Sequence, residues 1–134
     1  MPRRLYVVLM LSVLACACHR PVSYERFLRS DGSGMYEFEM DMSDSTCVYD
    51  LKFYTRLDDR DATGFPMQVR WYSPSGQLSS EQVYFDYASG PVAQYRLSCD
   101  PDEHGVWRML VRADAPGMRG LGLVCAKRDR YGAR

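Results

Sequence analysis

Apolar residues recur at every second position in seven separate stretches of this chain, and no long helical pattern competes with them beyond residue 34. Tyr36, Phe38 and Met40 alternate with Glu37 and Glu39, and Cys47, Tyr49, Leu51, Phe53 and Leu57 share a face against Asp50, Lys52 and Arg56. Met67, Val69 and Trp71 oppose Gln68 and Arg70, and after a Ser73-Pro74-Ser75-Gly76 turn come Val83, Phe85 and Tyr87. Tyr95, Leu97 and Cys99 then alternate with Gln94, Arg96 and Ser98; Trp107, Met109, Val111 and Ala113 alternate with Arg108 and Arg112; Leu121, Leu123 and Cys125 form the last set. A period of two puts the apolar side chains on one side of an extended strand. Strands this short and regular, separated by Gly, Pro, Asp and Ser, predict an all-β fold: one antiparallel β-sandwich, immunoglobulin-like, of about seven strands with polar outer faces.

The first residues follow a different rule. Arg3 and Arg4 precede a predominantly apolar run from Leu5 to Ala15, which ends at Ala15-Cys16 and Ala17-Cys18. As a helix the run rises about 16 Å, half of the roughly 30 Å hydrocarbon core, so a removable export signal is favoured over a membrane span. Small Ala15 before a thiol is the layout of a bacterial lipoprotein signal. Cys16 is the expected site of lipidation, with Cys18 as the alternative. Two acyl chains anchor a protein lastingly where one does not. The expected division is a signal over 1–15, a lipidated tether over 16–34, the β-sandwich over 35–127 and a polar tail over 128–134. The bilayer is then the first partner, reached through the acylated cysteine.

The 119 residues that follow such a signal support one small core and no second. The 17 basic and 17 acidic residues of the full chain become 15 and 17 once Arg3 and Arg4 are lost, a net charge of −2. With no long basic run, nucleic acid is not an expected partner. Cys47, Cys99 and Cys125 all fall on predicted inward faces. They read either as buried thiols or, for Cys47–Cys99 or Cys99–Cys125, as a cross-sheet disulfide, and the sequence leaves that choice open.

Few residues offer chemistry. Asp59, Asp61, Thr63 and Gly64 match the early positions of a calcium loop, but Arg70 stands where the bidentate glutamate belongs and Arg60 lies inside, so an ordinary turn is favoured. Asp100 to Gly105 gathers Asp102, Glu103 and His104, again among turn-forming residues. No serine elbow, phosphate cradle or zinc spacing is present, which argues against an enzyme, a metal or a cofactor. The aromatic residues are richer. Tyr54, Tyr72 and Tyr84 fall on the polar faces of three strands, a candidate interaction patch for a protein or sugar.

Three segments carry a resemblance: Tyr36 to Leu57, Met67 to Gln77 with its turn, and Pro116-Gly117-Met118-Arg119-Gly120-Leu121-Gly122-Leu123. Together with the lipoprotein signal and Tyr24-Glu25-Arg26-Phe27, they resemble the gliding-motility lipoprotein GldH group of the Bacteroidota. This chain is shorter between Tyr84 and Tyr95, where that group commonly carries an aromatic-bearing insert. The resemblance implies a non-enzymatic interaction or assembly component of gliding or its associated secretion machinery, with other envelope proteins as partners. It carries over only the lipidated cysteine, at Cys16. The alternative is a small ligand- or glycan-binding lipoprotein. In that bacterial group an acidic cluster just after the cysteine resembles a surface-export mark; none follows Cys16, so the resemblance implies the outer membrane with the domain facing the periplasm.

Overall fold

Tyr36, Phe38 and Met40 are buried while Met35, Glu37, Glu39 and Asp41 are exposed, and the same alternation runs through both sheets of a computed structural model. The structure describes residues 22–59 and 61–130, with side chains from Tyr24 onward; the signal, Cys16 and Cys18 lie outside the described residues. Eight strands are formed: β1 (Val22–Arg29), β2 (Met35–Asp41), β3 (Cys47–Leu57), β4 (Phe65–Tyr72), β5 (Leu78–Phe85), β6 (Val92–Cys99), β7 (Val106–Ala113) and β8 (Met118–Asp129). They make two four-stranded sheets, β1-β8-β3-β6 and β2-β7-β4-β5, antiparallel throughout.

This order departs from the immunoglobulin-like arrangement expected above. Only the β4–β5 hairpin stays within one sheet; every other connection crosses to the opposite one. Eight strands wound in this way form a jelly roll of paired Greek keys. Period-two patterning marks strands and their inner faces, but it does not say which strand each one pairs with. The one local pairing is the turn that the sequence marks: Ser73 N–H donates to Gln77 O at 2.9 Å, and Gly76 N–H to Ser73 O at 2.9 Å.

Two expected boundaries are corrected. Residues 22–29, assigned to the tether, are strand β1, in register with β8 from Tyr24↔Cys125 to Arg29↔Gly120. The strand was hidden because Arg26, at the register position of buried Leu123, interrupts the apolar period between Tyr24 and Leu28; a charged residue on an edge strand also discourages pairing with other chains. The polar tail begins later than residue 128. Arg128 and Asp129 pair with Val48 and Cys47, and Arg130 N–H donates to Thr46 O at 3.0 Å.

Between the sheets lie Phe38, Met40, Tyr49, Leu51, Phe53, Met67, Val69, Phe85, Met109, Val111, Leu121 and Leu123, all with at most 1% of their surface exposed. Each large side chain removed from water in this way contributes about 1.5–3 kcal/mol. No disulfide joins Cys47, Cys99 and Cys125. Pro66 sits in β4 at its second position, beyond the β7 ladder that starts at Met67↔Ala113, where a missing N–H costs little.

Candidate functional site

The three candidate tyrosines do not form one patch. Tyr54 projects from the outer face of the first sheet, whereas Tyr72 and Tyr84 belong to the outer face of the second. Tyr54 is also less free than the polar character of its strand face implied. Phe27, Gly122 and Tyr54 stand in register across β1, β8 and β3, and the two rings stack at 5.7 Å and 23° over the glycine. A Cβ on Gly122 would lie 2.1 Å from the Tyr54 ring, so the glycine makes room for the aromatic lid. Tyr72 is half-buried with the Arg108 guanidinium 5.0 Å from its ring, and Tyr84 is 60% exposed.

A site missed in the sequence lies at the open side of the sandwich, where edge strands β5 and β6 face each other. The pairs Tyr49↔Cys99 and Leu51↔Arg96 show one extra residue in β6, a β-bulge opposite Asp50. Ser98 takes a φ of 55° there, left-handed for a non-glycine residue, and its N–H donates to the Asp50 carboxylate at 2.8 Å. The bulge breaks the expected inward series Tyr95, Leu97, Cys99. Tyr95 and Cys99 remain partly buried, but Leu97 is turned out with 70% of its surface exposed.

Leu97 is on the rim of a cleft of about 430 Å³ that runs between Trp71 and Trp107 on one side and Ser98 to Asp102 on the other, with Met42, Ser79 and Arg96 completing it. The two indoles meet edge to face at 5.9 Å, and Trp107 Nε1–H donates to Glu103 O at 2.9 Å. Trp107, expected to fill the core, is only partly buried at this boundary. Behind the cleft, Trp71 Nε1–H donates to the Tyr95 hydroxyl at 2.8 Å, and that hydroxyl donates to the Glu81 carboxylate. Arg96 reaches the same carboxylate oxygen at 2.5 Å and lies 5.1 Å from the Tyr95 ring centre. Burial, and then the neighbouring Glu81 carboxylate, push the Tyr95 hydroxyl pKa far up, so it stays a neutral donor. Burial likewise raises that of the Cys99 thiol and works against a reactive thiolate.

The other candidates fold into local turns. The Asp59 carboxylate accepts from Asp61 N–H at 2.9 Å, and Glu103 accepts from Ser75 N–H, in the turn after β4, at 3.1 Å. No cluster of metal-ligating side chains is found among the described residues. Nor, among them, is any helix long and apolar enough to cross a membrane.

No family model and no curated protein matches the chain. Among solved structures it is similar to a carbohydrate-binding module in complex with beta-1,4-galactotriose, at 13% identity and a TM-score of 0.39, over 79% of this chain and 69% of that one.

Proposed function

We propose that this protein is a non-enzymatic interaction component of a bacterial envelope, anchored through an acylated Cys16, with the cleft at the β6 bulge as its partner-binding site. The observation that carries the reading is Leu97: a large apolar side chain held out of the fold by a bulge and a left-handed Ser98, beside an aromatic-walled cleft. Its neighbours at the cleft, Trp71, Trp107 and Arg96, are of the types enriched at the energetic centres of protein interfaces. With β1 starting at Val22, six chain steps separate Cys16 from the domain, a reach of about 20 Å at full extension. The domain would then sit close to the bilayer, with β6 at the far edge of the sheet from β1. Gliding, or the secretion machinery associated with it, is the setting that the resemblance implies.

Two experiments test this. Intact mass of the membrane-extracted protein should show loss of residues 1–15 and a lipid increment at Cys16, abolished by Cys16→Ala; a soluble, unacylated product in the native host would remove the anchor. A photo-crosslinker placed at position 97 in living cells should give a discrete adduct with an envelope protein, while the same group at position 82 on the other sheet should not. Equal or absent labelling at both positions would remove the cleft as the partner site.

A second reading, a glycan-binding lipoprotein, is favoured by one observation: Tyr72 and Tyr84 share the outer face of the β2-β7-β4-β5 sheet with a set of arginine and glutamine side chains.

A further inference from the structure

The outer face of the second sheet carries an arrangement of charge that packing does not explain. Arg70, on central strand β4, stands opposite Leu110, so that Arg108 and Arg112 of β7 occupy its two diagonal positions. Diagonal cross-strand neighbours lie about 7–8 Å apart, within reach of long side chains, and like charges so placed repel. Arg108 is compensated: it reaches Glu37 at 3.5 Å and rests on Tyr72. Among the described residues, Arg70 and Arg112 are in no ion pair. A shallow depression separates these two, floored by Leu110 and flanked by Gln68 and Met35. Gln82 stands next to Gln68 across the β4–β5 ladder.

Along the strand direction the face ends in aromatic residues. Tyr84 is paired with Pro66 at one end of β4 and Tyr72 lies at the other, six residues or about 20 Å away. The acidic side chains of the face, Glu37, Glu39 and Asp41, are confined to edge strand β2. Two inter-strand spacings, about 10 Å, separate β2 from Arg70 on β4, roughly a Debye length at 0.1 M salt, while Arg112 on β7 is one spacing from β2 with Glu37 at a diagonal position.

We propose that this face binds a carboxylated polysaccharide, a chain of uronic-acid type laid along β4. This rests on the glycan-binding reading above and specifies its ligand. Arg70 and Arg112 take a sugar carboxylate, for which the guanidinium fork is the matching donor. Gln68 and Gln82 offer amides to hydroxyl groups, Tyr84 offers an exposed ring at one end, and Tyr72, with Arg108 on its ring, closes the other. A chain one sugar wide follows β4 and meets the acidic row only at its flank, beside Arg112. A flat anionic membrane would meet that row. Duplex nucleic acid would gain only two uncompensated phosphate contacts, too few for lasting attachment.

Calorimetric titration of the purified protein tests this with four probes: oligogalacturonate, its fully methyl-esterified counterpart, anionic phosphatidylglycerol vesicles and oligodeoxythymidine. Oligogalacturonate should bind at least 10-fold more tightly than the other three. Arg70→Gln with Arg112→Gln should lower that affinity at least 10-fold while thermal melting stays unchanged, and Arg70→Lys should restore only part of it, because the charge returns without the fork. If the neutral ester binds equally well and both arginines are dispensable, the carboxylate assignment falls while glycan binding stands. If neither sugar binds, both fall. Vesicles or oligodeoxythymidine bound as tightly through the same arginines would also overturn the proposal.

Discussion

The Tyr95 hydroxyl, on β6, donates a hydrogen bond to the Glu81 carboxylate on β5, and so links the edges of two sheets that share no backbone ladder along this side. The same hydroxyl accepts from Trp71, so one side chain ties together three strands. Removing it by Tyr95→Phe leaves the Trp71 N–H without its acceptor in a mostly buried setting. The expected loss is about 1–3 kcal/mol, the cost of an unsatisfied buried polar group, measured by urea unfolding. A change in tryptophan fluorescence should accompany it, since Trp71 is 8% exposed and its ring stacks on Tyr95 at 6.2 Å. A variant as stable as the parent would mean the bridge is decorative.

Gly122 and Tyr54 should behave as one unit. Gly122→Ala forces the Tyr54 ring off the strand surface and is expected to destabilise by about 1–3 kcal/mol, the usual cost of overpacking. In a Tyr54→Ala background the ring atoms nearest the added methyl are gone, and the same substitution should then cost clearly less. The double-mutant cycle reads this directly, and additive effects would refute it. Tyr54→Ser should cost more than Tyr84→Ser, because only the former uncovers a stacked ring.

The two aromatic residues Phe38 and Trp107 should separate clearly by burial. Phe38 has no exposed surface, and Phe38→Ala is expected to cost about 3–5 kcal/mol. Trp107 is wetted on the cleft side, so Trp107→Ala should cost less than that. Chemical denaturation of both variants checks the order, and a reversal would move the core boundary.

Acid should weaken the loops before it weakens the core. Asp31, Asp41 and Asp44 accept hydrogen bonds from the hydroxyl and N–H groups of Ser33, Ser43 and Thr46, which hold these carboxyls below the ordinary 3.8. Hydrogen bonds from Ser73 and Ser75 hold Glu103 below 4.5 in the same way. A lowered folded-state pKa means that the unfolded chain binds more protons in this range, so stability rises with pH there. The contribution is complete above the ordinary values and is lost as pH falls through the lowered ones. The melting temperature should therefore be flat from about pH 7 to 5 and drop below about pH 4. Asp44→Asn should make that drop shallower; an unchanged profile would remove Asp44 from the account.

How much of this was legible depended on whether a residue's partner is local. The inner faces of β2, β4 and β7 followed from alternation alone, because Phe38, Val69 and Val111 are buried by the same rule that spaces them. β1 was not legible: Arg26 breaks its period, and its partner lies nearly a hundred residues away. The place of Leu97 is not legible because β6 shifts register twice against β3, between Tyr49 and Leu51 and between Leu51 and Lys52, and strict alternation does not carry through such shifts. Tyr54 falls on a polar face of its own strand, and nothing in that strand reveals Phe27 and Gly122 beside it. The cleft draws on Met42, Trp71, Ser79, Arg96 and Trp107, positions that only the topology brings together.

The pairing of β1 with β8 has a kinetic consequence. Among the described residues β1 has no other strand neighbour, and β8 follows the other seven strands in the chain. With one local hairpin among eight strands, almost every ladder must close a long loop before it gains anything, which places the domain among slow, high-contact-order folders. A ribosome must release β8 before β1 gains its partner, so the first sheet can be completed only after the other seven strands have been made.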